Sequence, residues 1–313
     1  MARVQTHPQL QRRNLIILGI FLVVLYVLLP QFGAFKHSLH SLRDARPAWI
    51  ALAVVAVAAM YSASAGMYVA LARSRLRYGR TLLVEMASLF ASRLLPAGIG
   101  PIGINYAYLR KNKHTQLQAG SVVAVNNLLG FIGNMLLLGL ALMLYHSPLQ
   151  HSSRIFNKRD LVIVLLVLFL GLAVLVLRSS LRHKVMGLVR SAVRNVRLYK
   201  THPLRVLLAL SCTMALTACH TFCLYACAHA VGVHLSVVQA LLALTVEVAG
   251  ATVTPTPGGL GGAEASLVAA LVAFGFAGSA GLAVALLFRL LTYWLALIVG
   301  GTAFVAAERL RYL

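Results

Sequence analysis

Acidic residues are scarce in this chain. Its 313 residues include 6 Asp and Glu against 28 Lys and Arg, and charged residues make up only 11% of the sequence. A soluble domain carries about 25% charged and 45–50% apolar residues, whereas this chain is 60% hydrophobic. So few charged side chains cannot cover a soluble globule, which excludes a soluble enzyme. The net charge of +22 would suit a nucleic-acid binder, but such a protein is not apolar over its whole length.

Cysteines and nucleotide-binding motifs are equally sparse. The four cysteines lie between 212 and 227 on one predicted helix, where they cannot bridge easily, so a disulfide scaffold is excluded. Packing at a helix interface explains them better than a metal site. The segment 98–103 fits G-x-G-x-x-G, but it follows a helical segment rather than a strand. We therefore predict no metal, no cofactor and no nucleotide.

Long apolar stretches dominate the sequence instead. A membrane-spanning helix needs about 20 mostly apolar residues. Six stretches meet this requirement, at 14–34, 48–72, 117–145, 160–177, 204–233 and 280–306. The first follows a basic N-terminus but no cleavage site follows it, so we predict an uncleaved span.

Two further apolar segments, 81–109 and 236–275, are interrupted by prolines and glycines. Such a break frees backbone groups that must be buried in protein or line a polar cavity. Each segment therefore predicts a re-entrant helical hairpin, although two short spans are the alternative. The residues that make the two turns are Pro96, Gly98, Gly100, Pro257, Gly258, Gly259, Gly261 and Gly262.

Loop charges set the predicted orientation. With two re-entrant hairpins, one side holds both termini and the loops 73–80, 110–116 and 178–205, with 20 Lys and Arg against 6 on the other side. Positive loops stay in the cytoplasm, so we predict a multi-pass protein of the cytoplasmic membrane with both termini cytoplasmic. The expected partners are membrane lipids, in particular anionic phospholipid headgroups, and no nucleic acid; a homo-oligomer remains open.

The two broken segments share a pattern. Val84-Glu85-Met86-Ala87 precedes the first turn and Val246-Glu247-Val248-Ala249 the second, at Glu-to-Pro separations of 11 and 10 residues. Each hairpin falls between the second and third spans of its half, and three crossings separate the two hairpins, so the halves face opposite ways. This layout predicts an inverted repeat, as in many transporters. The predicted fold is one all-α integral membrane domain over 1–313, with six transmembrane helices, two re-entrant hairpins and repeats over 14–145 and 160–306.

Charged residues inside these segments are the candidate site. Each costs about 2.5–3.5 kcal/mol on insertion scales, so they usually serve function. There are three acids and two bases: Glu85, Glu247, Glu264, Arg93 and Arg289. In the functional interpretation, the arginines bind a lipid phosphate and the glutamates bind a cationic headgroup or protons. In the structural alternative, the five residues pair internally and fix the hairpins.

The motifs around these charges resemble a known family. P-x-G-[I/L]-G-x-x-E is met by Pro257, Gly259, Leu260, Gly261 and Glu264. Arg289 follows, with Tyr293 four residues later, and the first half carries Leu95-Pro96-Ala97-Gly98-Ile99-Gly100, Tyr106, Tyr108 and Asn126-Asn127. Nearly the whole chain is similar to the lysylphosphatidylglycerol synthase transmembrane-region family, which includes the flippase portion of MprF-type proteins and YbhN-like proteins. Asn105 stands where a basic residue is expected in YbhN-like members.

The resemblance implies lipid translocation, with the substrate open. The predicted substrate-binding residues are the five charges, Tyr293 and Asn105, together with the Gly-rich turns. No aminoacyl-transfer domain follows, so no enzyme activity is expected. A small-molecule or ion transporter would use the same repeat with a sealed pocket, whereas a lateral groove favours lipid flipping. An accessory protein of a lipid or glycolipid pathway is a further alternative.

Overall fold

The computed structural model describes residues 45–72, 74–94, 99–144, 203–254 and 256–313. These residues form helices and connecting turns, with no β-strand among them. In chain order the α-helices are α1 Pro47–Leu71, α2 Tyr78–Leu94, α3 Ile99–Lys111, α4 Gln116–Leu144, α5 Pro203–Ala230, α6 Val237–Val253, α7 Gly262–Ala273, α8 Gly278–Arg289 and α9 Leu295–Arg309. A 3₁₀ turn, Pro257–Gly259, precedes α7, and a π-helical turn, Leu290–Trp294, joins α8 to α9. The predicted all-α class is confirmed.

Four helices are long and apolar enough to cross a membrane. They are α1, α4, α5 and the continuous run Gly278–Arg309, which contains α8 and α9. They coincide with four predicted spans to within a few residues, so the chain is a multi-pass membrane protein. The predicted spans 14–34 and 160–177 and the basic loop 178–205 lie outside the described residues. The total of six crossings therefore stays a prediction.

Both predicted interruptions fall between helices. In the first hairpin α2 has 17 residues and α3 has 13; in the second, α6 has 17 and α7 has 12. At about 1.5 Å per residue these helices measure about 18–26 Å, less than the roughly 30 Å hydrocarbon core. The two helices of each hairpin pack against each other. Short paired helices of this kind are what re-entrance requires.

The two hairpins open toward opposite ends of the molecule. At the first, Arg80 on α2 covers the ring of Tyr312 and Lys111 at the end of α3 donates to the terminal oxygen of Leu313. The open end of this hairpin therefore lies beside the C-terminal residues Tyr312 and Leu313. Helix α4 begins at the same end, shortly after α3. At the second, Val238 and Phe274 flank the hairpin and share a hydrophobic cluster with Leu142, near the last residue of α4. The 29-residue α4 separates the two openings; the inverted repeat stays a prediction.

Helices from distant parts of the chain pack against each other. Among the described helices, α1 and α5 form the most extensive contact; in the predicted repeat they are the second spans of the two halves. The first hairpin packs through α2 on α9, the last span of the second half, and the second hairpin packs through α6 on α4, the last span of the first. Glycine allows the α2–α9 approach, since a Cβ on Gly300 would lie 2.8 Å from the Met86 carbonyl oxygen. The first hairpin is thus held mainly by α9, whereas the second packs on α5 and α8 as well as on α4.

Candidate functional site

The tips of the two hairpins meet. Arg93 lies in the last turn of α2, and its carbonyl oxygen would be 3.4 Å from a Cβ placed on Gly258 in the second tip. Helix α2 also packs against the 3₁₀ turn that contains Gly258. Residues 95–98, which include Pro96 and Gly98, lie outside the described part of the chain. The described residues of both breaks nevertheless converge on one place.

Arg289 is the centre of this place and is only 4% exposed. Its Nε donates to Glu264 Oε1 at 2.8 Å, and its Nη1 lies 3.6 Å from Glu247 Oε1. Its Nη2 donates to the carbonyl oxygen of Gly258 at 2.9 Å. Every guanidinium nitrogen therefore has a partner, one each from α7, α6 and the turn between them. Arg289 ties both arms and the tip of the second hairpin to the last span.

The second tip needs glycine for two reasons. Gly258, Gly259 and Gly261 have φ values of 61°, 67° and 87°, a region that other residues rarely adopt. A side chain at Gly258 would also collide with the ring of Tyr293, and a Cβ at Gly259 would come within 2.5 Å of the Ala251 Cβ. The first hairpin shows the same crowding, because a Cβ at Gly100 would lie 2.6 Å from the Ala91 carbonyl oxygen. Pro257 opens the turn with its fixed φ.

The start of α7 is capped from within the chain. The sequence places a helix start after Gly262, where free backbone N–H groups favour an anion. Helix α7 does begin at Gly262, but Glu264 Oε2 accepts from the Gly261 N–H at 2.7 Å. The acidic partner at this end is therefore Glu264 itself.

Arg93 is less completely paired than Arg289. Its Nη2 donates to the carbonyl oxygen of Thr292 at 3.0 Å, within the π-helical turn. Its guanidinium carbon lies 5.8 Å from the centroid of the Tyr293 ring, and that of Arg289 lies 5.0 Å from the same centroid, so one ring contacts two cations. Its Nε is buried without a hydrogen-bond partner among the described residues, and so is the hydroxyl of Tyr61, which lies within electrostatic range of Arg93.

The charges of this group balance. Arg93 and Arg289 contribute two positive charges, and Glu247 and Glu264 contribute two negative ones. The internal pairing that the sequence left as an alternative is therefore present for Arg289, Glu247 and Glu264. Arg93 Nε is a buried cationic donor of the group that has no hydrogen-bond partner among the described residues.

Glu85 and Asn105 stand apart from this group. Glu85 lies eight residues before Arg93, about 12 Å along α2, and it makes no ion pair in the described part of the chain. It accepts a hydrogen bond from Ser64, while Asn105 donates to Ser88 at 3.1 Å. Among the described residues, Glu85 takes no part in the ion pairing that joins Glu247 and Glu264 to Arg289.

A cavity of about 290 Å³ lies between α4, α5 and α6. Phe131, Met135, Val248 and Val253 line it and are 38–71% exposed, so it opens on the outer surface of the described helices. Its inner wall includes His220, whose ring stacks on Phe288 at 5.3 Å. Phe288 immediately precedes Arg289, so the cavity leads from an apolar surface toward the charged group.

Sequence reasoning missed several residues around the site. Tyr61 and Ser64 sit on a predicted span with no pattern that distinguishes them from packing residues. The carbonyl oxygen of Thr292 can accept from Arg93 because it lies in a π-helical turn. Such a turn cannot be predicted from the amino-acid composition of the segment. His220 carried a signal, since histidine within an apolar span is uncommon, but its contact with Phe288 depends on how α5 meets α8.

Comparison with known families identifies the relatives of this chain. Residues 16–300 match the sequence model of the lysylphosphatidylglycerol synthase TM region. The match covers both hairpins, the spans between them and the residues around Arg289. No curated protein matches the chain closely enough to report. The family's name indicates a role connected with membrane lipids.

Proposed function

Because the chain belongs to the lysylphosphatidylglycerol synthase transmembrane-region family, we propose that it moves a phospholipid, or a lipid-linked anionic headgroup, across the cytoplasmic membrane. In this proposal the headgroup passes the meeting point of the hairpins while the acyl chains stay in lipid. Both termini face the cytoplasm, and the chain carries out no covalent chemistry.

The observation that carries the proposal is a pair of unused donors. Arg93 Nε and the Tyr61 hydroxyl are buried at the hairpin junction without a hydrogen-bond partner among the described residues. A buried polar group without a partner costs about 1–3 kcal/mol, and more when it is charged. A phosphate oxygen offers the acceptor that both donors lack, and an arginine binds phosphate strongly through charge-assisted bonds.

The cavity supports a lipid rather than a small solute. Its exposed lining is mainly apolar, with the exposed polar residues Asn134 and Thr252 among it, and its less exposed lining includes Thr217, His220 and Thr245. Thr217 donates to Asn134 at 2.8 Å within this wall. An amphipathic ligand has the same order of polarity, with a polar head inward and apolar chains outward. A sealed pocket would instead favour the small-solute transporter.

Arg289 supports the proposal as an anchor rather than as the first contact. Its three nitrogens are engaged with Glu264, Glu247 and Gly258. It holds the second hairpin so that Tyr293 faces Arg93. A cationic group on a headgroup would have to compete with Arg289 for Glu247 or Glu264, so the proposal favours an anionic headgroup.

Flipping in proteoliposomes tests the proposal. Vesicles containing fluorescent phosphatidylglycerol or phosphatidylcholine are treated with a membrane-impermeant quencher, and the protected fraction is followed in time. We expect vesicles with the purified protein to lose the protected fluorescence of phosphatidylglycerol faster than vesicles without it. The control variant Arg309→Gln, which changes an exposed arginine, should give the wild-type rate. Unchanged protection for both lipids would contradict the proposal and favour the accessory role.

A further inference from the structure

A second buried polar group lies inside the first hairpin, away from the arginines. Glu85 on α2 is 3% exposed, and Asn105 on the facing α3 is 1% exposed. Ser64 from α1 donates to Glu85 Oε2, and Asn105 Nδ2 donates to Ser88 Oγ at 3.1 Å. Three helices therefore bring one carboxylate, one amide and two hydroxyls together in the interior.

Two oxygen atoms in this group receive no hydrogen bond of normal geometry, although the Asn105 side chain lies close enough to the Glu85 carboxylate and the Tyr68 hydroxyl to interact with them. Glu85 Oε1 and Asn105 Oδ1 are buried and lack a partner of normal geometry among the described residues. Both atoms are acceptors, in contrast to the unused donors at Arg93 and Tyr61. Native proteins rarely leave buried acceptors unpaired, so each requires an explanation. Two unpaired acceptors on side chains that face each other call for a donor or a cation.

No part of the described chain supplies that cation. Glu85 has no Lys, Arg or His in ion-pair contact within the described residues. The titratable groups that face it are the hydroxyls of Tyr68 on α1 and Tyr108 on α3, which carry no positive charge. Helix α9 meets α2 through Gly300 and Phe304, which are apolar. An isolated carboxylate in this interior would be costly.

Comparison of the two halves shows that Glu85 lacks the cationic partner that Glu247 has. Glu85 and Glu247 occupy the same position in the V-E-x-A pattern of the two halves. Glu247 is partnered by Arg289, a cation built into the chain. The equivalent carboxylate in the first half has no built-in cation among the described residues. A positive charge from solution would complete the symmetry.

We propose that Glu85 and Asn105, with Ser64, form a binding site for one monovalent cation, either a proton or Na⁺. A proton on Glu85 Oε1 turns that atom into a donor for Asn105 Oδ1 and satisfies both acceptors at once. A Na⁺ ion instead takes both oxygens as ligands, since hard cations bind oxygen. A water molecule could satisfy the hydrogen bonds but would leave the carboxylate charge uncompensated.

Cation-dependent stability tests the site without any transport assay. The melting temperature of the purified full chain is measured in detergent with NaCl or choline chloride at equal ionic strength, and over a range of pH. If Na⁺ is the ligand, NaCl raises Tm by about 5–10 °C at about 100 times its Kd. If a proton is the ligand, Tm does not respond to Na⁺ but falls as the pH rises.

Two variants isolate the carboxylate. Glu85→Gln is nearly isosteric, carries no charge and can donate from its amide to Asn105 Oδ1, so it mimics the loaded site. We expect it to melt at or above the loaded wild type and to lose the dependence on Na⁺ or pH that the wild type shows. Glu308→Gln removes an exposed carboxylate and should retain that dependence.

Infrared difference spectroscopy separates the two cations. A protonated Glu85 gives a carboxylic C=O band that shifts in D₂O and is absent from Glu85→Gln, whereas Na⁺ binding gives a carboxylate band that responds to Na⁺. Either result supports the site. An ionised Glu85 that responds to neither Na⁺ nor pH would overturn it. Because these measurements do not involve lipid movement, their failure would leave the proposed lipid translocation standing.

Discussion

Arg93 Nη2 donates to the carbonyl oxygen of Thr292 at 3.0 Å and joins positions 199 residues apart in the chain. The carbonyl is available because Thr292 lies in the π-helical turn Leu290–Trp294, where the regular α-helical pattern is interrupted. π-Helical turns often occur at functional sites. Here the turn also places Tyr293 between two arginines, so one local distortion in the last span organises the contact between the hairpins.

Arg289→Gln should destabilise the protein strongly. The substitution leaves Glu247 and Glu264 buried without a cationic partner, and breaking a buried ion pair costs about 3–5 kcal/mol. Thermal unfolding in detergent measures this loss. Adding Glu247→Gln removes one of the uncompensated charges and should recover part of the stability. A loss no larger than that of the exposed Arg309→Gln would contradict the anchoring role.

Arg93→Gln should slow lipid movement in a protein that is still folded. Its Nε has no partner to lose and only one hydrogen bond, to Thr292, is given up, so the cost in stability should be about 1–3 kcal/mol. Removing a phosphate-binding cation should lower the flipping rate of phosphatidylglycerol at least about tenfold, which corresponds to roughly 1.4 kcal/mol. The proteoliposome assay measures the rate.

Arg93→Lys provides the matched control for this prediction. It keeps the charge but loses the planar group that contacts Tyr293 and Thr292. We expect a flipping rate between those of wild type and Arg93→Gln. Equal rates for all three proteins would rule out a headgroup contact at Arg93.

Gly258→Ala should destabilise the second tip. The residue has a φ of 61°, and an added methyl group would collide with the Tyr293 ring. Such strain costs of the order of 1–3 kcal/mol. Gly120→Ala is the comparison, because this glycine lies in α4 and an added Cβ would meet no atom within 4 Å; it should be neutral or slightly stabilising. Unfolding temperatures that do not differ between these variants would refute the tight turn.

Cysteine labelling should reveal the predicted orientation. In a background with the four native cysteines replaced, Lys113→Cys marks the loop after the first hairpin and His234→Cys marks the loop before the second; both positions are exposed. A membrane-impermeant maleimide applied to intact cells should label position 234, and position 113 only after permeabilisation. The reverse pattern would place the termini outside.

The sequence by itself determined the membrane class, four of the described spans and the positions of both breaks. Hydropathy and Pro/Gly placement are local properties, because a helix must satisfy its own backbone in lipid and a break frees backbone groups wherever it occurs. Family membership also followed from the motif around Pro257 and Glu264. The charged residues inside the membrane segments could also be identified from the sequence, because each one interrupts an otherwise apolar segment.

Only the tertiary structure decided how those charges are distributed. Glu85 and Glu247 share one sequence pattern, yet Glu247 meets Arg289 whereas Glu85 meets Ser64 and lies beside Asn105. Partner choice depends on which helices pack together and on the π-helical turn that positions Thr292 and Tyr293. Because hydrogen bonds and ion pairs act over about 3–4 Å, charge pairing is settled by the packing of distant segments and not by spacing along the chain.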